Sequence, residues 1–484
     1  MIDSKNLKVT LNYLALIINI SLISYFFFFN TFVYFINKDL LIILIIISLI
    51  IPSITYYLDN KDYSYLPLGE IILIFFLIAY LSIFLFDQNY VVRSYTWMLN
   101  DLSEEETKVF YELFYNNFSY FKYFYFSIIS FYIGFLVMKK VKNFNGLISD
   151  NFEKYFRFSE NDLFIIGSFF LFIKLIFFLF PEINNLILVG NFKSIIFLFY
   201  ISCHWTYFLS VKKNYLKKIF IIISFIVFFF IDIVETGSQI GITLMLISIV
   251  LIFWLIKRKI FFFGIFLILF NFYFFQDIKI EYRESIKNIR EGLRLPIFKI
   301  TNYKDSILNN IKLIAKNDLE NKNNVSNVRL TISSYAYHKV LDLKSKNQLE
   351  LKEGRTYQNL IFFPIPRFLW EKKPVASYGI EFGLITKIGR IKSPTSINLS
   401  WITEAFWNFG NLFFIPMIIK GLFIGFLSKI IIYKRNSIIS IAWVASIIHL
   451  VIPETNFAIM SVSLIYQFIF LMIFLTIYKF FFKK

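Results

Sequence analysis

Four basic side chains stand at Arg283, Lys287, Arg290 and Arg294, spaced four, three and four apart. On a helix that spacing projects all four from one face. Planar guanidinium forks match phosphate oxygens, and clustered cations suit a diphosphate. The same stretch reads equally as a solvated helix whose cations pair with Glu284 and Glu291. A second cluster runs from Phe362 to Pro374, where Pro364 and Pro366 prevent a regular helix around Arg367. Arg367 and Lys373 there supply cations beside Trp370, whose ring would stack on a sugar, or serve as an aromatic belt on a surface loop. The third runs from Ser400 to Gly410. Glu404 lies there among Trp401, Phe406 and Trp407, near the membrane surface, where desolvation would raise its pKa towards that of a useful base. A carboxylate at a helix start or in a salt bridge is the alternative reading. His338 is the sole histidine between residues 276 and 408, and histidine is a frequent general base.

Other charges lie within apolar runs. Asp232 and Glu235 are three apart, on one helix face, and Lys174 and His204 are isolated cases. Ionisable groups inside spans are costly, and they either serve a relay or satisfy one another inside the bundle. Three scattered histidines and the single Cys203 give no metal-ligand spacing, and no Gly-rich phosphate loop or Asp-x-Asp pair appears. Neither a metal nor another cofactor is expected.

The elements that must position these groups are membrane helices. The chain has 484 residues, 58% hydrophobic, 21% aromatic and 17% charged, with a net charge of +18. That excludes disorder, a disulfide scaffold and a soluble enzyme. About 20 apolar residues cross a bilayer as a helix, and about twelve such runs are present. They lie near Leu11–Ile36, Leu40–Leu58, Leu68–Phe86, Phe118–Met138, Asp162–Phe180, Phe192–Val211, Ile219–Val234, Gln239–Ile256, Ile260–Phe275, Leu412–Ile432, Ile438–Ile452 and Phe457–Tyr478. With both termini cytoplasmic, the short basic loops all fall on the cytoplasmic side. The expected organisation is an N-terminal bundle of about nine helices over residues 1–275, a large external loop over 276–408, and about three C-terminal helices over 409–484. Within the loop, Ile297–Lys316 and Leu330–Leu343 have helical apolar spacing, as does Glu281–Arg294. The loop carries 22 lysines and arginines against 13 acids, a net +9, so half of the excess charge lies where orientation does not require it. An anionic lipid explains it, and nucleic acid is not needed.

The residues Gly354, Arg355 and Tyr357, then Ile365 to Pro374, then Ser393 and Thr395, then Thr403, Glu404, Asn408 and Gly410, together resemble the Wzy-type oligosaccharide repeat-unit (O-antigen) polymerases. The resemblance covers about 60 residues closely and the remainder as architecture. Thr236-Gly-Ser-Gln239 is similar to another family pattern, with Gln239 where an arginine is common, and Lys372 is an extra residue before Lys373 and Pro374. The resemblance implies an all-helical, GT-C-like membrane glycosyltransferase in a bacterial inner membrane. It implies transfer of a glycan from undecaprenyl diphosphate to the next lipid-linked repeat unit on the outer face, alongside a flippase and a chain-length regulator. Glu404 is then the first choice of base and His338 the second. Arg290, Arg294, Arg355, Arg367 and Lys373 would bind the diphosphate, and Tyr357, Trp370, Trp401 and Trp407 would stack on sugars. A lipid-linked oligosaccharide flippase and a glycan ligase are the competing readings.

Overall fold

The computed structural model describes residues 4–29, 31, 37–58, 66–81, 84, 116–141, 158–180, 189–236, 239–257, 263–264, 266–268, 271, 282, 296–315, 325–362, 365, 370, 378–386, 397–429, 443–444, 446–451 and 455–482. Among them the regular structure is helical, without a strand. Five helices are long and apolar enough to cross a membrane: Asn6–Phe28, Lys38–Tyr56, Phe118–Lys140, Glu160–Leu179 and Phe457–Phe481. The expectation was about twelve. Inside hydrocarbon a backbone must satisfy its own hydrogen bonds, and a helix does so within one segment. That is why runs of Ile, Leu and Phe become helices here although β-branched residues are poor helix formers in water.

The helices are α1 Ser4–Phe28, α2 Lys38–Leu58, α3 Leu68–Leu81, α4 Phe118–Lys140, α5 Glu160–Leu179, α6 Val189–Ser210, α7 Tyr215–Thr236, α8 Gln239–Lys257, α9 Pro296–Ala315, α10 Val325–Ser345, α11 Arg355–Phe362, α12 Gly379–Thr386, α13 Trp401–Phe409, α14 Phe414–Lys429 and α15 Phe457–Phe482. Local signals set several ends. Ser159 and Asp162 form a reciprocal capping box at the start of α5. Asn117 accepts from the Tyr120 backbone at the start of α4, and Lys139 and Lys140 lie in its last turn. Of the third expected span, Leu68–Phe86, the helix α3 covers Leu68–Leu81, and those 14 residues make about 21 Å of helix. The expected spans Ile260–Phe275 and Ile438–Ile452 are described only in part, the latter with a short 3-10 turn at Ile448–Val451. The expected helix Glu281–Arg294 lies outside the described residues except for Tyr282.

The chain divides into two compact units that cut across its linear order. The first comprises Met1–Asn145, Asn327–Ile432 and Leu450–Ser463, and the second Gly146–Ser326, Tyr433–His449 and Leu464–Lys484. Much of the expected external loop therefore packs with the first four helices. In α10, the Ser334 hydroxyl donates to the carbonyls of Ala79 and Tyr80 at 2.8 and 2.9 Å. Tyr120 of α4 donates to the same Tyr80 carbonyl at 2.8 Å. These are carbonyls in the last turn of α3, where a helix's final carbonyls lack partners within the helix.

The first unit is built on the crossing of α4 and α14. A Cβ at Gly134 would lie 2.2 Å from the Ile418 carbonyl oxygen, and one at Gly421 only 1.9 Å from that of Phe131. Gly421 and Gly425 form the small-xxx-small spacing that lets two backbones touch where lipid gives little hydrophobic drive between helices.

In the second unit, two of the charges singled out within the apolar runs meet, while the Glu235 side chain lies outside the described residues. Lys174 of α5 and Asp232 of α7 pair at 3.2 Å, with side chains 3% and 8% exposed. The Asp232 carboxylate also presses on Gly241, where a Cβ would sit 2.1 Å from it. His204 is enclosed as well, with Nε2 at 3.3 Å from both the Phe164 carbonyl and the Ser168 hydroxyl.

Candidate functional site

The third sequence cluster forms α13, which ends because Gly410 adopts a positive φ of 54°. Its last carbonyls would be orphaned, and the segment just before α11 satisfies them. Lys352 N–H donates to the Trp407 carbonyl at 3.1 Å, and Glu353 N–H to that of Asn408 at 3.0 Å. Gly354, at φ 87°, then turns the chain into α11, where a side chain would be strained and would meet the Phe409 ring.

This clamp brings together two stretches that lie about 50 residues apart in sequence. Thr356 Oγ1 donates to Glu404 Oε1 at 3.0 Å, and Asn408 Nδ2 donates to Thr356 Oγ1 at 2.8 Å. Asn408 also donates to the Glu404 carbonyl at 2.7 Å. The second carboxylate oxygen, Oε2, accepts from Lys420 Nζ of α14 at 3.3 Å and from the Phe457 N–H at 3.2 Å. Lys420 donates to the Trp401 carbonyl at 2.9 Å, and its Nζ lies 5.0 and 5.3 Å from the Tyr357 and Phe457 ring centres.

Glu404 and Lys420 have side chains 0% and 1% exposed. Removing both charges from water costs several kcal/mol per ion, and only good geometry with further hydrogen bonds offsets it. Three donors on the carboxylate and a carbonyl on the ammonium supply that. In this conformation Glu404 is closed to solvent, with both carboxylate oxygens hydrogen-bonded. To serve as a base it would have to release Thr356 or Lys420.

The other expected site residues divide clearly. His338, on α10, is 4% exposed, with Nδ1 3.4 Å from Asn117 Nδ2. Burial pushes its imidazole down to about 4; Asp342 opposes this, while Lys339 and Lys346 add to it. It is therefore neutral near pH 7. Arg355 is exposed at the first position of α11, its N–H donating to the Lys352 carbonyl at 2.8 Å. The Tyr378 hydroxyl holds the Arg355 carbonyl at 3.2 Å. Tyr357 stacks on Phe409, with centroids 6.0 Å apart, and burial together with the nearby Glu404 raises its phenol pKa. Trp370 is half-buried and edge-on to Phe362.

Trp401 and Trp407 are 0% exposed. Trp401 packs against Phe76, Phe131 and Phe457, and Trp407 against Phe382 and beneath the Lys352 ammonium. Their ring faces are thus taken up by protein in this conformation, because an apolar helix face needed large side chains to fill its contacts. Arg290, Arg294, Arg367 and Lys373 lie outside the described residues.

Lys420 did not stand out in the sequence reading, although a lysine near the middle of the run Leu412–Ile432 carries the same signal as Lys174. Thr356 and Asn408 appeared only as members of a motif, and the Phe457 backbone donor carries no sequence signal. Among the described residues, no three of His, Cys, Asp and Glu gather as a metal-binding group. In comparison with known proteins, no family model, no curated protein and no solved structure matches the chain.

Proposed function

We propose that this protein is a polytopic membrane glycosyltransferase that polymerises undecaprenyl-diphosphate-linked oligosaccharide repeat units on the outer face of a bacterial inner membrane. About twelve spans, a GT-C-like arrangement and cytoplasmic termini belong to this reading. One observation carries it. The two stretches whose residues resemble repeat-unit polymerases converge on a single carboxylate, with Thr356 and Asn408 both bonded around Glu404.

In the proposed reaction the acceptor hydroxyl attacks the anomeric carbon of the donor glycan. The bond from that carbon to the diphosphate oxygen breaks, and the lipid diphosphate leaves with the bonding pair. Fixed cations aimed at that developing charge supply several kcal/mol of transition-state stabilisation. Arg355 is exposed for this role, and Arg290, Arg294, Arg367 and Lys373 are assigned to it from sequence. The hydroxyl proton needs a base. His338 is neutral but buried, so burial opposes its protonation, and Glu404 must first open its cluster.

The test is elongation of lipid-linked repeat units by purified protein in proteoliposomes, without nucleotide or added metal. A ladder of lengthened glycans is the expected product, and unchanged single units would sink the reading. A second reading, a lipid-linked oligosaccharide flippase, draws on the buried Lys174–Asp232 pair, the kind of intramembrane charge a transporter uses. Deleting the gene separates the two. Loss of the polymerase leaves single repeat units outside, and loss of the flippase leaves none there.

A further inference from the structure

Lys420 touches no surface, yet it is bonded through two intermediaries to one of the exposed cations in the first unit. Its ammonium holds Glu404 Oε2, the other oxygen of that carboxylate takes the Thr356 hydroxyl, and Thr356 follows Arg355 in the chain. The backbone around Arg355 is held on every side. Lys352 and Glu353 are bonded to the α13 carbonyls, the Thr356 N–H lies 3.4 Å from Asn408 Oδ1, and Tyr378 holds the Arg355 carbonyl. Arg355 also follows Gly354, whose positive φ would otherwise let the chain swing.

We infer that Lys420 is a positioning residue: through Glu404 and Thr356 it fixes the first turn of α11, so that Arg355 meets a diphosphate from a rigid base. This rests on the polymerase reading and deepens it, since it gives the buried ion pair a task other than proton transfer. A long arginine side chain carries about 2 kcal/mol of rotamer entropy. A backbone that also moved would add to what binding must overcome, and a fixed one lowers that cost. The two aromatic rings and the Trp401 carbonyl around Lys420 leave its ammonium no alternative partner at the surface.

The test is a mutant cycle read by binding, using purified protein in detergent titrated with undecaprenyl diphosphate and, separately, with inorganic pyrophosphate. Lys420→Met leaves an unpaired buried carboxylate and risks unfolding. Thr356→Val instead cuts the link, together with the Asn408 bond to the same hydroxyl, while leaving the ion pair in place. Arg355→Ala should weaken diphosphate binding about tenfold, in line with the loss of one charge-assisted hydrogen-bonded contact. Thr356→Val should weaken it threefold or more when Arg355 is present and not at all in the Arg355→Ala background. Tighter binding of the lipid than of pyrophosphate, with the same cycle in both, assigns the effect to the diphosphate group.

If Thr356→Val weakens binding equally with and without Arg355, or leaves it unchanged, the inference is overturned. When the wild-type protein binds and elongates normally, that result removes the inference alone. If the wild-type protein neither binds a diphosphate nor elongates glycans, the polymerase reading falls and takes the inference with it.

Discussion

Gly421→Ala offers a direct measure of how tightly the α4–α14 crossing is built. The added methyl would lie 1.9 Å from the Phe131 carbonyl oxygen and 2.9 Å from both the Phe131 carbonyl carbon and the Phe135 nitrogen. Carbon and carbonyl oxygen approach comfortably at about 3.3 Å or more, so the helices must separate by roughly 1.4 Å. Backbone atoms cannot rotate away as a side chain would. Overpacking of this kind costs about 1–3 kcal/mol. A gap of that size also forfeits much of the dispersion energy at the neighbouring contacts of Gly134 and Gly425. The expected total is about 3 kcal/mol.

Thermal unfolding of the purified protein in detergent, followed by intrinsic tryptophan fluorescence, reads this loss as a lower midpoint. Gly425→Ala is the graded comparison. Its methyl would meet the Met138 Cβ at 2.7 Å and the Phe135 oxygen at 3.0 Å, so its cost should be smaller, about 1 kcal/mol. Ile419→Ala, at a residue 57% exposed, should matter little. A Gly421→Ala protein that melts with the wild type, or one less affected than Gly425→Ala, would refute the claim that these backbones touch.

Lys174→Met removes the cation paired with the buried Asp232 carboxylate in the second unit and should cost about 3–5 kcal/mol in the same melt, and adding Asp232→Asn should recover part of it. Ser334→Ala removes the donor shared by two carbonyls in the last turn of α3 and should cost about 1–2 kcal/mol, with faster amide exchange at the end of that helix. His338 makes stability fall in acid. Its folded pKa of about 4 lies below its ordinary 6.5, so between these values the unfolded chain binds the proton that the folded one refuses. Its contribution is therefore complete above pH 6.5 and lost as pH falls towards 4, by no more than about 3 kcal/mol. His338→Gln should flatten the midpoint-against-pH curve in that window, and an unchanged slope would contradict the burial.

The helices were legible because apolar runs of bilayer length have few alternatives. Expected and observed ends agree within a few residues for Phe118–Lys140, Glu160–Leu179 and Gln239–Lys257. In the loop, Ile297–Lys316 and Leu330–Leu343 were visible from their periodicity and appear as Pro296–Ala315 and Val325–Ser345. The pairing of loop helix α10 with α3 was not legible. It is made by a serine hydroxyl meeting carbonyls 254 and 255 residues away and by the Tyr80 and Tyr337 rings packing edge-on at 5.7 Å, and no local pattern encodes such partners. At the candidate site, Glu404 was conspicuous as an acid among aromatics, but its environment was not. The cation that encloses it stands sixteen residues on, in a run read as a plain span. Trp401 and Trp407 looked like sugar platforms because a string of residues cannot tell a buried ring face from an open one.

The discontinuous make-up of the first unit sets a schedule for its synthesis. Its opening segment ends at Asn145, and the next contribution begins at Asn327. At ribosomal rates of about 5–20 residues per second, the carbonyls that Ser334 will cap must wait on the order of ten seconds or more. Glu404 waits only about a second for Lys420, sixteen residues behind it. The buried acid is thus matched almost as it is made, while the early helices depend on lipid, insertion machinery or passing partners until α10 arrives. Truncations that stop short of Asn327 should therefore leave an insertion intermediate open to quality-control proteases rather than a smaller working core.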